Sequence, residues 1–374
     1  MTTSYSVSTK LLLRAITAIC AVVPHKPSRD ILKCLKIKAE IGLSGGRDIL
    51  TLFATDLETY ATFTISENVV VQTPGEFVVP SQILFDYIKN LEDDSISMVV
   101  EEEALKISES GTELVVGLQD IQEFPEFPTI PTTKTDWITL PLDVIKHSLS
   151  QVVFAVAEKG HPRWGSLSSI CINIGKEAIN LAGTDQKRAS LVEFPIAAQN
   201  LEGQFLVTAT ALELVTKLFD ADFQMMPNTP NNIIFKNSEC VLYVRLVAGD
   251  FPSFSKILPK HPNHVALSVP ELTRQVKKAA LAADQHDTLK MEIKNDKLCL
   301  SAKTREQRKG VKIEKALTYT GTEIQFAINC KYLLDLLKAA KDDEDLMLHF
   351  DKNNKPLLFT QTNFKHLMMP QETK

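Results

Sequence analysis

The sequence predicts an α+β fold made of three tandem copies of one domain, and three observations carry that expectation. A strand-into-helix unit occurs three times, over Gly75–Leu91, Gly203–Leu218 and Glu323–Lys338. In each, apolar residues alternate along a short strand, a Ser, Thr or Asn sits near the helix start, and the helix runs at three/four spacing. A phenylalanine-proline segment occurs twice, as Asp120-Ile-Gln-Glu-Phe-Pro-Glu-Phe-Pro-Thr-Ile-Pro131 and as Val247-Ala-Gly-Asp-Phe-Pro-Ser-Phe-Ser-Lys-Ile-Leu-Pro259. The spacing between the copies, about 130 residues, is a domain length and far exceeds the roughly 20–50 residues of a solenoid repeat. Boundaries are expected at 1–131, 132–262 and 263–374, which suits a 374-residue chain.

Each copy is expected to hold two helices among strand-rich segments. In the first, Leu11–Val22 is a helix whose polar stripe is Lys10, Arg14 and Thr17, at i, i+4 and i+7. Strands are expected at Ile37–Ile41, Ile49–Ala54, Thr55–Ile65, Ile96–Val100, Ala104–Ser108 and Leu114–Leu118, with a second helix from Ser81. Pro128–Asp136 reads as a linker. The second copy opens with a helix from Pro141 to about Ala157 carrying Lys146, His147, Ser150 and Gln151 on its polar side. Strands follow at Ser169–Ile174 and Ala178–Ala182, then Gly183-Thr-Asp-Gln-Lys-Arg188 echoes Ala54-Thr-Asp-Leu-Glu58 of the first copy. Pro259–His264 is the second linker. The third copy opens with the helix Val269–Ala280, on which Arg274, Lys277 and Lys278 share a face, and its Thr-Asp echo has decayed to Ala302–Lys309.

Composition confines the function classes. With 44% hydrophobic and 23% charged residues the chain has ample core and an ordinary soluble surface. Its six scattered cysteines, without a C-x-x-C pair, read as free thiols in a reducing compartment. The apolar run Leu11–Val23 is interrupted by Arg14 and lacks a cleavage site, so it reads as a helix and not as a signal peptide. No stretch approaches the ~20 apolar residues of a membrane span. A cytoplasmic protein without a membrane partner is expected.

Catalytic motifs are missing. No phosphate-binding glycine loop, nucleophile elbow or H-E-x-x-H is present. The eight histidines show no metal-ligand spacing, and His261 and His264 fall in a linker where solvent exposure is expected. The acidic runs Lys341–Asp345 and Glu101–Glu103 read as solvated turns. Catalytic residues, metals and cofactors are all expected to be none. A net charge of −5 argues against gripping nucleic acid by bulk attraction. Yet the opening helices repeat a basic stripe: Lys10 and Arg14, then Lys146 with His147, then Arg274, Lys277 and Lys278. One such stripe is an ordinary solvated face. Its recurrence points to locally focused positive charge that touches phosphates without reading bases.

In order and spacing, Ala54-Thr-Asp-Leu-Glu58, Gly183–Arg188, Leu246-Val-Ala-Gly-Asp-Phe-Pro-Ser-Phe254 with Leu258-Pro-Lys260, and His366-Leu-Met-Met-Pro370 resemble the bacterial sliding clamps, the β subunits of DNA polymerase III. The resemblance spans essentially the whole chain. It implies three clamp domains, each with two helices packed on antiparallel sheets, and a head-to-tail homodimer closing a ring around duplex DNA. It implies a non-catalytic processivity factor that docks DNA polymerase III, clamp loader subunits, other polymerases and repair proteins through short linear peptides. Weak, mobile, sequence-independent phosphate contacts would suit such a ring. By the resemblance Lys26 faces DNA, as the helix phase suggests for the basic residues above. It places the peptide pocket at Leu167, Thr184, Arg188, Phe223, Leu367, Met369 and Pro370, an apolar floor with a cationic rim. It places Leu114 and Val116 on an edge strand at the subunit interface, with Leu281 at the matching end of the third domain. Where the family commonly shows Thr-Asp-Gly-His-Arg-Leu, this chain has Gln186, Lys187 and Ala189, and Gln371 replaces an apolar residue after the proline. Two other readings stand beside it: a clamp-fold paralogue that scaffolds peptides without encircling DNA, and an enzyme using Thr184, Asp185 and Arg188.

Overall fold

The structure, a computed structural model, describes residues 2–43, 46–109, 111–129, 137–158, 165–196, 201–228, 231–304, 309–352 and 355–372. Its helices are α1 (Thr9–Ile19), α2 (Ser81–Ile88), α3 (Leu142–Val152), α4 (Ala209–Leu218), the single turn α5 (Phe254–Ile257), α6 (Val269–Ala280) and α7 (Cys330–Ala339). The chain divides into two compact units, Met1–Asp143 with Thr210–Leu246, and Val144–Ala209 with Val247–Lys374.

The first unit holds a five-stranded sheet in the order Val69–Thr73, Thr3–Ser8, Ser95–Glu101, Ala104–Glu109, Thr112–Gly117. Its other sheet has eight strands, Ile138–Leu140, Phe223–Asn228, Asn232–Lys236, Cys240–Arg245, Thr59–Ile65, Ile49–Thr55, Cys34–Glu40 and Gly75–Pro80. The second unit repeats the pattern. An eight-stranded sheet runs Gly203–Thr208, Ser169–Ile174, Ala178–Thr184, Arg188–Pro195, Phe364–Met368, Leu357–Gln361, Leu346–Phe350, Asn263–Leu267. A four-stranded sheet runs Lys309–Ala316, Lys297–Thr304, Thr288–Lys294, Ile324–Asn329. Each eight-stranded sheet is two halves joined by one antiparallel seam, with Tyr243 opposite Tyr60 in the first and Ser190 opposite His366 in the second. Residues 132–262 supply half of each.

Helix phase decides what is buried. On α1, Leu12, Ala15, Ile16 and Ile19 face the core while Lys10, Arg14 and Thr17 face water. On α6, Leu272, Val276 and Ala279 are buried and Arg274, Lys277 and Lys278 exposed. Each buried Leu or Ile stabilises by roughly 1.5–3 kcal/mol, so a half-turn slip would cost several side chains at once.

The repeated phenylalanine-proline segment has a structural cause. Three times the chain leaves a finished strand and crosses to bond the strand ahead of a repeat's second helix: Gln119 N donates to Val78 O at 2.9 Å, Val247 N to Leu206 O at 2.8 Å and Gln371 N to Ala327 O at 2.8 Å. After the first crossing Phe124 packs on Ile31, Leu32, Cys34 and Val78. After the second, Phe251 packs on Cys171, Ala182 and Leu206.

Several expectations need adjustment. α1 ends at Ile19, with Cys20–Val23 in turns, and Thr55–Ile65 is a turn at Asp56–Glu58 before a strand begins at Thr59. Asn263 and His264 belong to an edge strand and not to a linker, because their alternation buries Val265 and Leu267. Of the first linker, residues 130–136 lie outside the described residues, as do 305–308 of the decayed Thr-Asp echo. The six cysteines are free and all but Cys20 are buried; burial pushes the Cys20, Cys171 and Cys240 thiols up to about 12. No helix among the described residues is long and apolar enough to cross a membrane.

Candidate peptide-binding site and basic surfaces

The Thr-Asp echo is a turn built twice. Thr184 Oγ1 donates to Arg188 O at 2.7 Å and accepts from Gln186 N at 3.1 Å, while Asp185 Oδ1 accepts from Lys187 N and Arg188 N at 2.9 Å each. Thr55 and Asp56 make the same bonds to Thr59, Leu57 and Glu58. Side chains that bond their own backbone set this turn and launch the next strand. Both place a non-glycine residue in the left-handed region, Gln186 at φ 74° and Leu57 at φ 78°. Thr184 and Asp185 therefore do in the second repeat what Thr55 and Asp56 do in the first. That is a structural role.

Arg188, which begins the strand after the turn, is 8% exposed. Its Nε meets Asp185 Oδ2 at 3.1 Å and its Nη1 meets Asp335 Oδ2 at 2.6 Å. The guanidinium also lies over the rings of Tyr332 (4.1 Å) and Phe154 (5.5 Å). Tyr332 and Asp335 come from α7, whose first turn is fixed by Asn329 Oδ1 accepting from Lys331 N and Tyr332 N. Across the seam, the fully buried His366 shares a 2.8 Å hydrogen bond between its Nδ1 and Ser190 Oγ and stacks on Phe154. Desolvation, then the nearby Arg188 charge, pushes the His366 pKa down to about 3. The imidazole is neutral, and its buried Nε2 has no hydrogen-bond partner among the described residues.

Six of the seven expected pocket residues lie in this unit. Ala189 is opposite Leu367, and Met369 N donates to Lys187 O at 2.8 Å, which joins Thr184 and Arg188 to Leu367, Met369 and Pro370. Leu167 O accepts from Ala157 N at 2.8 Å, tying it to the segment that carries Phe154. Leu367 is 8% and Met369 40% exposed. Phe223 belongs to the other unit, where it is buried between Phe219 and Phe235. The expected cationic rim changes hands: two carboxylates occupy Arg188, and the exposed cation of the turn is Lys187, beside exposed Gln186. The residues that sequence reading missed, Phe154, Tyr332 and Asp335, carry no local signal, and His366 stands in a quoted motif that gave no hint of its buried role. Asp335 stands 147 positions from the arginine it pairs with.

All seven expected DNA-facing residues are exposed: Lys10, Arg14 and Lys26 in the first unit, Lys146, Arg274, Lys277 and Lys278 in the second. Arg14 is held by ion pairs to Glu239 and Asp220 and lies over Phe63. Among the described residues no ion pair holds the other six. Thr112–Gly117 and Lys309–Ala316 are outer strands of their sheets. On the former Leu114 is half-buried and Val116 is 5% exposed, so the apolar residue presented to solvent is their neighbour Val115, at 54%. Leu281, just past α6, is 79% exposed. Among the described residues no three His, Cys, Asp or Glu side chains converge as a metal set.

Two family models match the chain: the DNA polymerase III beta subunit N-terminal domain over residues 3–128 and its C-terminal domain over residues 255–372. The chain is similar to the beta sliding clamp of Synechocystis, 23% identical over 395 residues with 96% of each chain covered. It is also similar to the DNA polymerase III beta subunit from Thermotoga maritima, with TM-score 0.89, 21% identity and full coverage of both chains. The DnaN sliding clamp of Pseudomonas aeruginosa bound to griselimycin superposes with TM-score 0.91 at 18% identity, again over both whole chains. At these identities the structural likeness establishes the fold.

Proposed function

The chain belongs to the DNA polymerase III beta-subunit family, the beta sliding clamps, and we propose that two copies close head to tail into a ring that slides on duplex DNA. It is a non-catalytic processivity factor. The observation that carries the ring is the repeated seam. In the first unit, the last strand of the middle block, Cys240–Arg245, seals onto Thr59–Ile65 of the first block. In the second, the last strand of the third block, Phe364–Met368, seals onto Arg188–Pro195 of the middle block. The same rule leaves Thr112–Gly117 and Lys309–Ala316 as the one remaining pair, which two copies satisfy by pairing with each other. Glu113 on one edge and Lys309 on the other favour that pairing, Lys312 and Lys315 being already paired with Glu314 and Glu271, and covering the two strands removes two exposed edges.

In this reading the blocks 1–131, 132–262 and 263–374 are the clamp domains. Lys10, Lys26, Lys146, Arg274, Lys277 and Lys278 face the duplex with Arg14, whose charge is partly offset. Their contacts are to phosphates and so carry no sequence preference. Leu167, Thr184, Arg188, Leu367, Met369 and Pro370 form a dock for short peptides of polymerases, clamp loader subunits and repair proteins, with an apolar anchor in the floor and Lys187 meeting an acidic neighbour. The protein works in the cytoplasm. Light scattering after gel filtration tests the ring: the mass of two chains is expected, falling to one in Leu281→Asp and Val115→Lys. A wild-type monomer, or a dimer indifferent to both substitutions, contradicts the edge pairing.

A further inference from the structure

We propose that His264 and His349 form a two-histidine site for a divalent transition metal. They are direct partners on neighbouring antiparallel strands, Asn263–Leu267 and Leu346–Phe350. Val265, Leu267, Leu348 and Phe350 point into the core, so the alternation turns both imidazoles to the solvent side. The ring centroids are 5.9 Å apart, with planes inclined at 38°. A metal sits ~2.0–2.1 Å from an imidazole nitrogen, which puts two ligating rings about 5.3 Å apart, centroid to centroid, at a tetrahedral angle and about 6.4 Å apart when the ligands are opposed. At 5.9 Å the pair lies between the two, so a tetrahedral ion draws the rings together by about 0.6 Å, within reach of side-chain rotation alone.

The hydrogen bonds around the pair match those that orient metal ligands. His349 Nε2 meets Thr360 Oγ1 at 3.0 Å, a contact from the next strand that holds the ring and leaves Nδ1 for the metal. A ligating histidine characteristically engages its other nitrogen in this way. His261, three residues before His264, repeats the arrangement: its Nε2 meets Pro356 O at 2.7 Å, and since a carbonyl only accepts, that nitrogen carries the proton and Nδ1 keeps its lone pair. Among the described residues no third His, Cys, Asp or Glu side chain converges on the pair, so in this proposal water completes the coordination and the ion exchanges readily. Asn263–Leu267 is the outermost strand of its sheet, held by one neighbour only. A bound ion would staple it in place.

Cu2+ is the probe of choice, because nitrogen ligands bind it most tightly among the first-row divalent ions. Calorimetric titration of the full chain, with glycine as a weak competitor, is expected to give one saturable site whose electron paramagnetic resonance shows two nitrogen couplings. His264→Ala and His349→Ala should each weaken it by at least about tenfold, Thr360→Val by less, and His25→Ala, at an exposed histidine elsewhere, not at all. Binding that survives His264→Ala, or wild-type binding no tighter than that of a variant with both histidines replaced by alanine, overturns the site. Because His264 is exposed, that variant folds and decides the matter even if His349→Ala does not.

Discussion

Arg188 matters through what neutralises it. Removing it strands Asp185, 14% exposed, and frees two aromatic faces. Breaking a fully buried pair costs about 3–5 kcal/mol; because Asp335 is 44% exposed, the expected loss for Arg188→Ala is about 2–3 kcal/mol, read from the urea midpoint. Arg188→Lys should recover little, since an ammonium neither forks to two carboxylates nor stacks on Tyr332. His366 sets a pH dependence. Its folded pKa, about 3, lies below the ordinary 6.5, so between these values the unfolded chain binds a proton that the native chain refuses. The contribution of His366 to stability is therefore flat above about pH 6.5 and falls by up to about 1.4 kcal/mol per pH unit below it, toward pH 3. His349, shifted down by burial, then by His264 and His261, adds to the same limb. The diagnostic quantity is the difference between wild type and His366→Gln: their urea midpoints should diverge least at pH 5 and most at pH 7.5. Parallel pH profiles would contradict a proton-refusing His366.

The Thr-Asp turn shows how far local sequence can be read and where it stops. Its side-chain donors and acceptors lie within four positions, so the echo was visible as letters, and α6 was predicted at its observed bounds because its polar and apolar faces alternate cleanly. The left-handed residue inside the turn was not visible, because Gln186 is not the glycine that such a conformation favours. Gln186→Gly should stabilise the protein by about 0.5–1 kcal/mol in thermal or urea unfolding. Gly183→Ala should do the opposite. A methyl there would come within 2.8 Å of Val152 O and 3.0 Å of Val156 Cγ1, an overpacking cost of about 1–3 kcal/mol. The aromatic and acidic cage of Arg188 was beyond reading: its members are near only after the sheet and α7 have formed.

The threefold plan of the whole molecule was legible because each repeat restates its strand-to-helix unit, and the crossings at Gln119, Val247 and Gln371 now give the phenylalanine-proline segments a reason. The seams were not legible, since strand partners 176 positions apart, Ser190 and His366, leave no trace in local periodicity. If the outer strands pair as proposed, two copies close a ring, and closure makes a claim about topology that no affinity can mimic. Contacts through exposed lysines alone would weaken steeply with salt, whereas a threaded ring stays on DNA whose end is closed. The deciding measurement uses duplex tethered to a bead at one end. The protein is allowed to thread over the free end, that end is capped with a bulky protein, and the beads are washed at raised salt. Retention when capping follows threading, with loss when capping precedes it, is the predicted result; equal loss in both orders would contradict the ring.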